Sequence, residues 1–227
     1  MQAQTNTKLT TKGERSREHI LEHALRLFVE QGYDETTMRD IAAAADCSLG
    51  LTYRYFARKE DLVLQLYRRL AEEQEVYVLA LPPAPLADRF VQVLQAKIAQ
   101  LEPYRSAIGA LFGAALTPQS GVTVLGDVTS DIRVRMERMF LAMITGAVDA
   151  PRERQARQLA TVLYTLELAL VLFWVHDRSP DHRATADLLK LAHDAIALVR
   201  PVLRFPPVAK SLARLAQALG PVFGAST

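Results

Sequence analysis

The chain has 227 residues, half of them hydrophobic, with 27 Lys and Arg against 25 Asp and Glu and a net charge of +2. That is enough apolar material for a substantial core in one or two domains. The polar opening from Met1 to Thr11 is no secretory leader, no apolar run reaches the roughly 18 to 20 residues of a membrane span, and a single cysteine, Cys47, excludes an internal disulfide framework, so a cytoplasmic protein with no membrane partner is expected.

Residues 1 to 62 carry nine Lys and Arg against ten Asp and Glu. Any attraction to nucleic acid at this end must therefore come from where the cations sit, since net charge supplies none. Lys8, Lys12, Arg15 and Arg17, with only Glu14 among them, form an arm that either reaches phosphates and a minor groove or stays a solvated tail. Ser16 to Gln31 reads as a helix, with Ile20, Ala24, Leu27 and Phe28 on its buried stripe and Gly32 as its stop. Thr36 or Thr37 caps a second helix to about Ala45, with Ile41, Ala42 and Ala45 on its apolar face. Asp46 turns the chain, and Ser48 caps a third helix from Leu49 to Tyr55. Two short helices so joined form a helix-turn-helix, whose second helix fits a DNA major groove. That helix and its flank concentrate Ser48, Thr52, Tyr53, Arg54, Tyr55, Arg58 and Lys59. Hydroxyls and Lys bond phosphate oxygens, and Arg can also read guanine edges.

The order of residues from Ile20 to Leu62 resembles the DNA-binding domain of the tetracycline-repressor (TetR) family of bacterial regulators. The resemblance is carried by Gly32-Tyr33, Thr36-Thr37-Met38-Arg39-Asp40-Ile41-Ala42, Ser48-Leu49-Gly50-Leu51-Thr52-Tyr53-Arg54-Tyr55-Phe56 and Lys59-Glu60-Asp61-Leu62. It implies that Arg39 and Arg54 contact base edges, that Leu49 or Gly50 approaches the groove, and that Thr37, Ser48, Tyr53, Tyr55 and Lys59 hold phosphates. Tyr53 and Tyr55 have a second reading as packing residues, and Arg39 as a solvated charge paired with Asp40 or Glu35. Three positions depart from the family pattern. Asp46-Cys47 replaces a Gly followed by an aliphatic, though Asp tolerates a left-handed turn. Thr52 stands where an aliphatic packs inward, and Arg58 stands where a small polar cap of the next helix is usual.

A long helix from Glu60 through Leu62, Leu66 and Leu70 to Leu81, ended by Pro82, Pro83 and Pro85, links residues 1–62 to a second domain, 63–227. There the pattern stays helical, near Leu86 to Leu101, Pro103 to Leu116, Ser130 to Ile144, Arg152 to Val175 and Thr185 to Val199, with a loop from Thr117 to Thr129. The fold class is all-α, a three-helix DNA-binding head followed by a helical bundle. Arg200, Arg204, Lys210 and Arg214 fall in a C-terminal stretch without acids. Val208 to Leu219 within it reads as a short extra helix, packed on the bundle or adding to DNA attraction.

One short recognition helix reads few base pairs, so specificity on a double-stranded operator calls for a homodimer. In the resembled family two C-terminal helices build that interface. The apolar faces here are Leu159, Val162, Leu163, Leu166, Leu170 and Phe173, then Leu188, Leu191, Ala195 and Leu198; the other reading is a purely internal core. Family members also hold an effector in the bundle, for which Tyr104, Ile108, Phe112, Met136, Met139, Phe140, Met143, Tyr164 and Trp174 are candidates. The scarcity of charge among them implies a small apolar molecule, and ordinary core packing is the competing reading. Gly109 and Gly113 permit close helix packing. His176-Asp177 and Asp181-His182 could suggest a metal, but capping of a short turn explains them, and neither metal nor cofactor is expected. No GxSxG, HExxH, P-loop or GxGxxG pattern is present, which argues against an enzyme. The expected function is a ligand-released transcriptional repressor; the alternative is a DNA-binding dimer regulated without a small molecule.

Overall fold

The computed structural model describes residues 3–116 and 130–223, with side chains for 12–113 and 131–221. The expected loop Thr117 to Thr129 lies outside them. Among the described residues the order is α1 (Ala3–Glu30), α2 (Met38–Ala44), α3 (Leu49–Tyr55), α4 (Lys59–Leu79), α5 (Leu86–Leu101), a 3-10 turn (Glu102–Tyr104), α6 (Arg105–Leu116), α7 (Ser130–Thr145), α8 (Glu153–His176), a second 3-10 turn (Pro180–His182), α9 (Arg183–Val202) and α10 (Pro206–Phe223), with no strand.

The first helix begins well before the expected Ser16, so the cationic arm is helical rather than a loose tail. One of its cations is internal: Arg17 donates to Gln65 on α4 at 2.8 Å and stands 4.9 Å over the Phe56 ring. Gly32, at φ 91°, ends α1 as expected, because only glycine adopts this geometry without steric cost. Ile20, Leu21, Ala24, Leu25 and Phe28 face Ile41, Phe56, Leu62 and Leu66, and this core runs on through α4 into the bundle.

Within the bundle α8 is the central rod, packed against α6, α7 and α10. It has the length and composition of a membrane span, contrary to the expectation that no run would. More than half of that stretch is buried inside the protein, however, and it carries the charged Glu167. The Cβ of an alanine at Gly109 would sit 3.1 Å from Val175, so this glycine lets α6 approach α8 closely; Gly113 faces open space. Arg89, buried at the start of α5, donates to the carbonyls of Leu81, Pro82 and Met143, tying the end of α4 to α7. Asp177 accepts from Ser179 N, Ser179 Oγ, Thr185 N and Thr185 Oγ1 at 2.6–2.9 Å. The α8–α9 turn is therefore held by capping, the simpler of the two explanations for its acids and histidines.

Candidate nucleic-acid interface

The reading head is assembled by three local devices. Thr37 caps α2 in a capping box: Asp40 N donates to Thr37 Oγ1 at 3.2 Å, and Thr37 N donates to Asp40 Oδ2 at 2.8 Å. The Thr37 hydroxyl, which also donates to Asp40 Oδ2 at 2.6 Å, and then the Thr37 N–H hold the Asp40 carboxyl below its usual range. Thr36, the other candidate cap, is buried and donates to Gly32 O instead. The second device closes α2. Cys47 N bonds Ala42 O and Asp46 N bonds Ala43 O, the paired bonds of a Schellman motif, with Asp46 left-handed at φ 46°. Aspartate thus does what glycine commonly does here. Third, Ser48 caps α3 by accepting from Leu51 N at 3.2 Å.

α3 then has two unlike faces. Leu49, Thr52 and Phe56, spaced i, i+3, i+7, turn inward. Thr52 is fully buried, its hydroxyl donating to Ser48 O at 3.3 Å and lying 3.3 Å from Cys47 Sγ, so threonine fills the aliphatic position by satisfying its own polar atom. Gly50, Tyr53 and Arg54, spaced i, i+3, i+4, share the outer face, where Tyr53 is 49% exposed. Of the two residues expected near the groove, Gly50 is outward and Leu49 packs inward. A Cβ at Gly50 would meet nothing within 4 Å, which leaves that backbone open to approach. Arg39, Thr37 and Ser48 are exposed as well.

Two of the expected phosphate-holding residues are occupied within the chain. Lys59 donates to Tyr33 O at 2.7 Å and sits 4.2 Å over the Tyr33 ring, pinning the start of α4 to the loop after α1. Tyr55 is half-buried against the core, with its hydroxyl within 3.4 Å of where a Cβ on Gly13 of α1 would be. At Arg58 no side-chain cap bond forms, but Asp61 reaches back to accept from Arg58 N at 3.0 Å and supplies half of the missing cap.

The expected effector residues are mostly closed core. Ile108, Met136, Met139, Phe140, Met143, Tyr164 and Trp174 are all buried, and Tyr104 and Phe112 partly so. Phe112 and Tyr164 line one cavity of about 10 Å³, with Leu64 and Tyr67 of α4, Leu111, Ile132 and Arg133. That is room for one water. Beside it lies a polar junction that the sequence reading missed. The buried Lys97 on α5 pairs with the buried Glu167 on α8 and lies 3.4 Å from Tyr67 OH on α4. Burial raises the Glu167 carboxyl above its ordinary range, against the opposing pull of Lys97, and Glu167 Oε2 has no hydrogen-bond partner among the described residues. A lone charge in the apolar run from Leu159 to Val175 was the available signal.

The expected dimer residues divide. Leu159, Leu163 and Leu170 are buried within the chain, and Val162, Leu166 and Leu188 are partly covered. For Leu159, Val162, Leu163 and Leu166 the neighbour is α10, which packs along α8 and whose Leu212 and Leu215 line one groove with them. Phe173, Leu191, Ala195 and Leu198 remain exposed, joined by Val202 and Phe205.

Two family descriptions match the chain: bacterial regulatory proteins of the tetR family over residues 20–66, and the tetracyclin repressor-like C-terminal domain over residues 89–218. The chain is 30% identical over 100 residues to the HTH-type transcriptional regulator AcrR of Shigella flexneri, covering 41% of this chain and 46% of that protein. It is 40% identical over 65 residues to HbdR of an Aromatoleum strain, covering 28% of each. The alignments thus span less than half the length of these two relatives. Over 181 residues it is 25% identical to the uncharacterized HTH-type regulator YhgD of Bacillus subtilis, covering 76% of this chain and 91% of that one. Among solved structures, a TetR regulator from Nitrosomonas europaea has the same fold, with a TM-score of 0.56 at 19% identity over 80% of this chain and 98% of that one. A tetR-family regulator from Streptomyces coelicolor likewise gives 0.56 at 23% identity over 90% and 89%. With the helix-turn-helix head and the helical bundle each matched, the chain belongs to the TetR family of bacterial transcriptional regulators, DNA-binding proteins rather than enzymes.

Proposed function

We propose that the protein is a cytoplasmic repressor that binds a palindromic operator as a homodimer and is released by a small molecule. The observation that carries this is the outer face of α3, where Gly50, Tyr53 and Arg54 stand together, with Arg39 of α2 exposed as well. Arg39 and Arg54 read base edges. Thr37, Ser48 and Tyr53 hold phosphates, and Gly50 lets the backbone approach. Lys59 and Tyr55 act one step back, fixing the head to α4 and α1. The dimer forms through Phe173 of α8 and through Leu191, Ala195, Leu198 and their neighbours on the uncovered side of α9.

The effector enters beside Tyr67 and Tyr164, wedging α6 and α7 away from α4, because a cavity of about 10 Å³ holds none of effector size. The same closed packing favours a second reading, regulation without a small molecule. Thermal denaturation across a library of apolar compounds separates the two: a raised midpoint with at least one compound supports the effector, and none across the library supports the second reading.

The test of the head is fluorescence anisotropy on duplex DNA from upstream of the protein's own gene, at two salt concentrations and against scrambled duplex. The expected result is tight binding that survives scrambled competitor, loses sequence preference with Arg39→Ala and weakens on all sequences with Tyr53→Phe. Equal affinity of wild type for both duplexes, with no preferred site in a genome-wide selection, refutes the assignment.

A further inference from the structure

The acid-free C-terminal stretch acquires a place in the fold that the reading head does not use. Arg204, in the turn before α10, and Lys210, in its second turn, converge with Arg152, the cap of α8, and Arg154, in its first turn, around a groove of about 380 Å³ completed by Gln155 and Gln158. No carboxylate lines it. Among the described residues none of the four cations forms an ion pair, whereas neighbouring cations do: Arg157 binds Glu153, and Arg200 binds Asp149. Residue 152 also caps α8 without a side-chain bond, so the first-turn N–H groups of that helix face the same end. Gln155 is held in place by donating to Leu203 O at 2.6 Å, which fixes the α9–α10 corner against α8.

Four unpaired cations repel one another, and that repulsion is relieved by a ligand of matching opposite charge. A monoanion leaves most of it standing. Three guanidinium forks suit phosphate or carboxylate oxygens in paired contacts, and adjacent phosphates supply several negative charges within a groove of this size. The site is remote from the operator. α4, at about 1.5 Å per residue over its length, carries the chain roughly 30 Å from the head. Near its far end Val148 N bonds Ala84 O and Leu86 N bonds Asp149 Oδ1, which brings the start of α8 to that pole. The duplex read by α3 does not reach it.

We propose that this groove binds a small molecule bearing two or more adjacent phosphates, clamping α10 onto α8 as an input separate from the apolar cavity. The proposal is independent of the operator reading, and operator affinity measured in parallel keeps the two apart. The test is isothermal titration of the full chain with inorganic tripolyphosphate and with ATP, at low salt. Saturable binding of both at one site per protomer is expected. Similar affinities place recognition in the phosphates alone, and much tighter ATP binding adds the nucleoside; either supports the proposal. The double variant Arg204→Ala, Lys210→Ala should weaken binding at least tenfold, whereas Arg214→Ala, an exposed cation on α10 outside the groove, should change it less than twofold. Both variants alter exposed side chains, and circular dichroism with urea denaturation verifies that they fold. No saturable binding, or equal binding by the double variant, overturns the proposal.

Discussion

Replacing Lys97 by Met removes the ammonium that faces Glu167 and leaves a carboxylate buried between α5 and α8 without its partner. Both side chains are almost wholly buried, at 4% and 0% exposure, so water cannot take the partner's place. Breaking such a pair costs about 3–5 kcal/mol, a large part of a domain's stability. Removing both charges as Lys97→Met with Glu167→Leu should instead leave stability near wild type or raise it by about 1–4 kcal/mol. The stabilising end is expected here because Glu167 Oε2 is already an uncompensated acceptor. The coupling energy of the double-mutant cycle is then at least about 3 kcal/mol. Urea denaturation at one fixed protein concentration reads it as a change in midpoint with constant slope. The pH dependence gives an independent arm. Because burial raises the folded pKa of Glu167, its contribution is full below the unfolded value of about 4.3 and is lost as pH rises through the folded pKa. Lys97→Met removes the two influences that lower it, so the variant's deficit should grow from acid to neutral pH. Additive single and double variants, or a deficit constant with pH, would refute the account of this junction.

Asp46→Gly should stabilise the fold by up to about 1 kcal/mol, since it keeps the Schellman bonds and relieves a left-handed residue, whereas Asp46→Val should destabilise it; thermal denaturation decides. Leu198→Asp, at a side chain 75% exposed, should produce a folded monomer by sedimentation while Leu163→Asp, in the core, should unfold the chain; a dimeric Leu198→Asp would place the interface elsewhere. Asp177→Asn should lower the thermal midpoint at neutral pH and abolish an acid-side loss of stability. The four bonds hold the folded carboxyl well below its usual range, so its contribution is present above the unfolded pKa and is lost as pH falls through the folded one.

The head was legible in the sequence because its signals are local. A cap, a turn residue and an i, i+3, i+7 face each depend on neighbours a few positions away, and Thr37, Asp46 and Ser48 occupy the places that such rules assign. The internal contacts of Lys59 and Tyr55 were not legible, because the Tyr33 carbonyl that accepts from Lys59 lies 26 positions away in the sequence. The same limit hid the split of the dimer face. Periodicity marks α8 as apolar nearly all round, but it does not say which side is covered by the chain itself, and here α10 takes Leu159 and Leu163. Glu167 was passed over because a single charge in an apolar run finds its meaning only when Lys97, 70 positions away, arrives beside it.

These long-range contacts converge on α4. Its first residue, Lys59, is fastened to the head through Tyr33, its middle presents Tyr67 to both the cavity and Lys97, and its end is gripped through Arg89. A helix held at both ends does not flex to absorb a displacement at its centre; it tilts. Over roughly 30 Å of helix, a tilt of about 5° carries the head by some 3 Å, against half-site spacings of about 34 Å that a duplex fixes. In a dimer the two displacements add or cancel according to the symmetry axis, and an operator of fixed spacing penalises the sum. In the proposed regulation an effector would therefore not need to reach the reading head to release it. It would need only to prefer the tilted arrangement by about 1–3 kcal/mol, the amount that changes occupancy 5- to 150-fold. The polar junction of Tyr67, Lys97 and Glu167 suits that role because α4, α5 and α8 meet there through charge and hydrogen bonds that depend on direction, unlike the non-directional apolar packing around them.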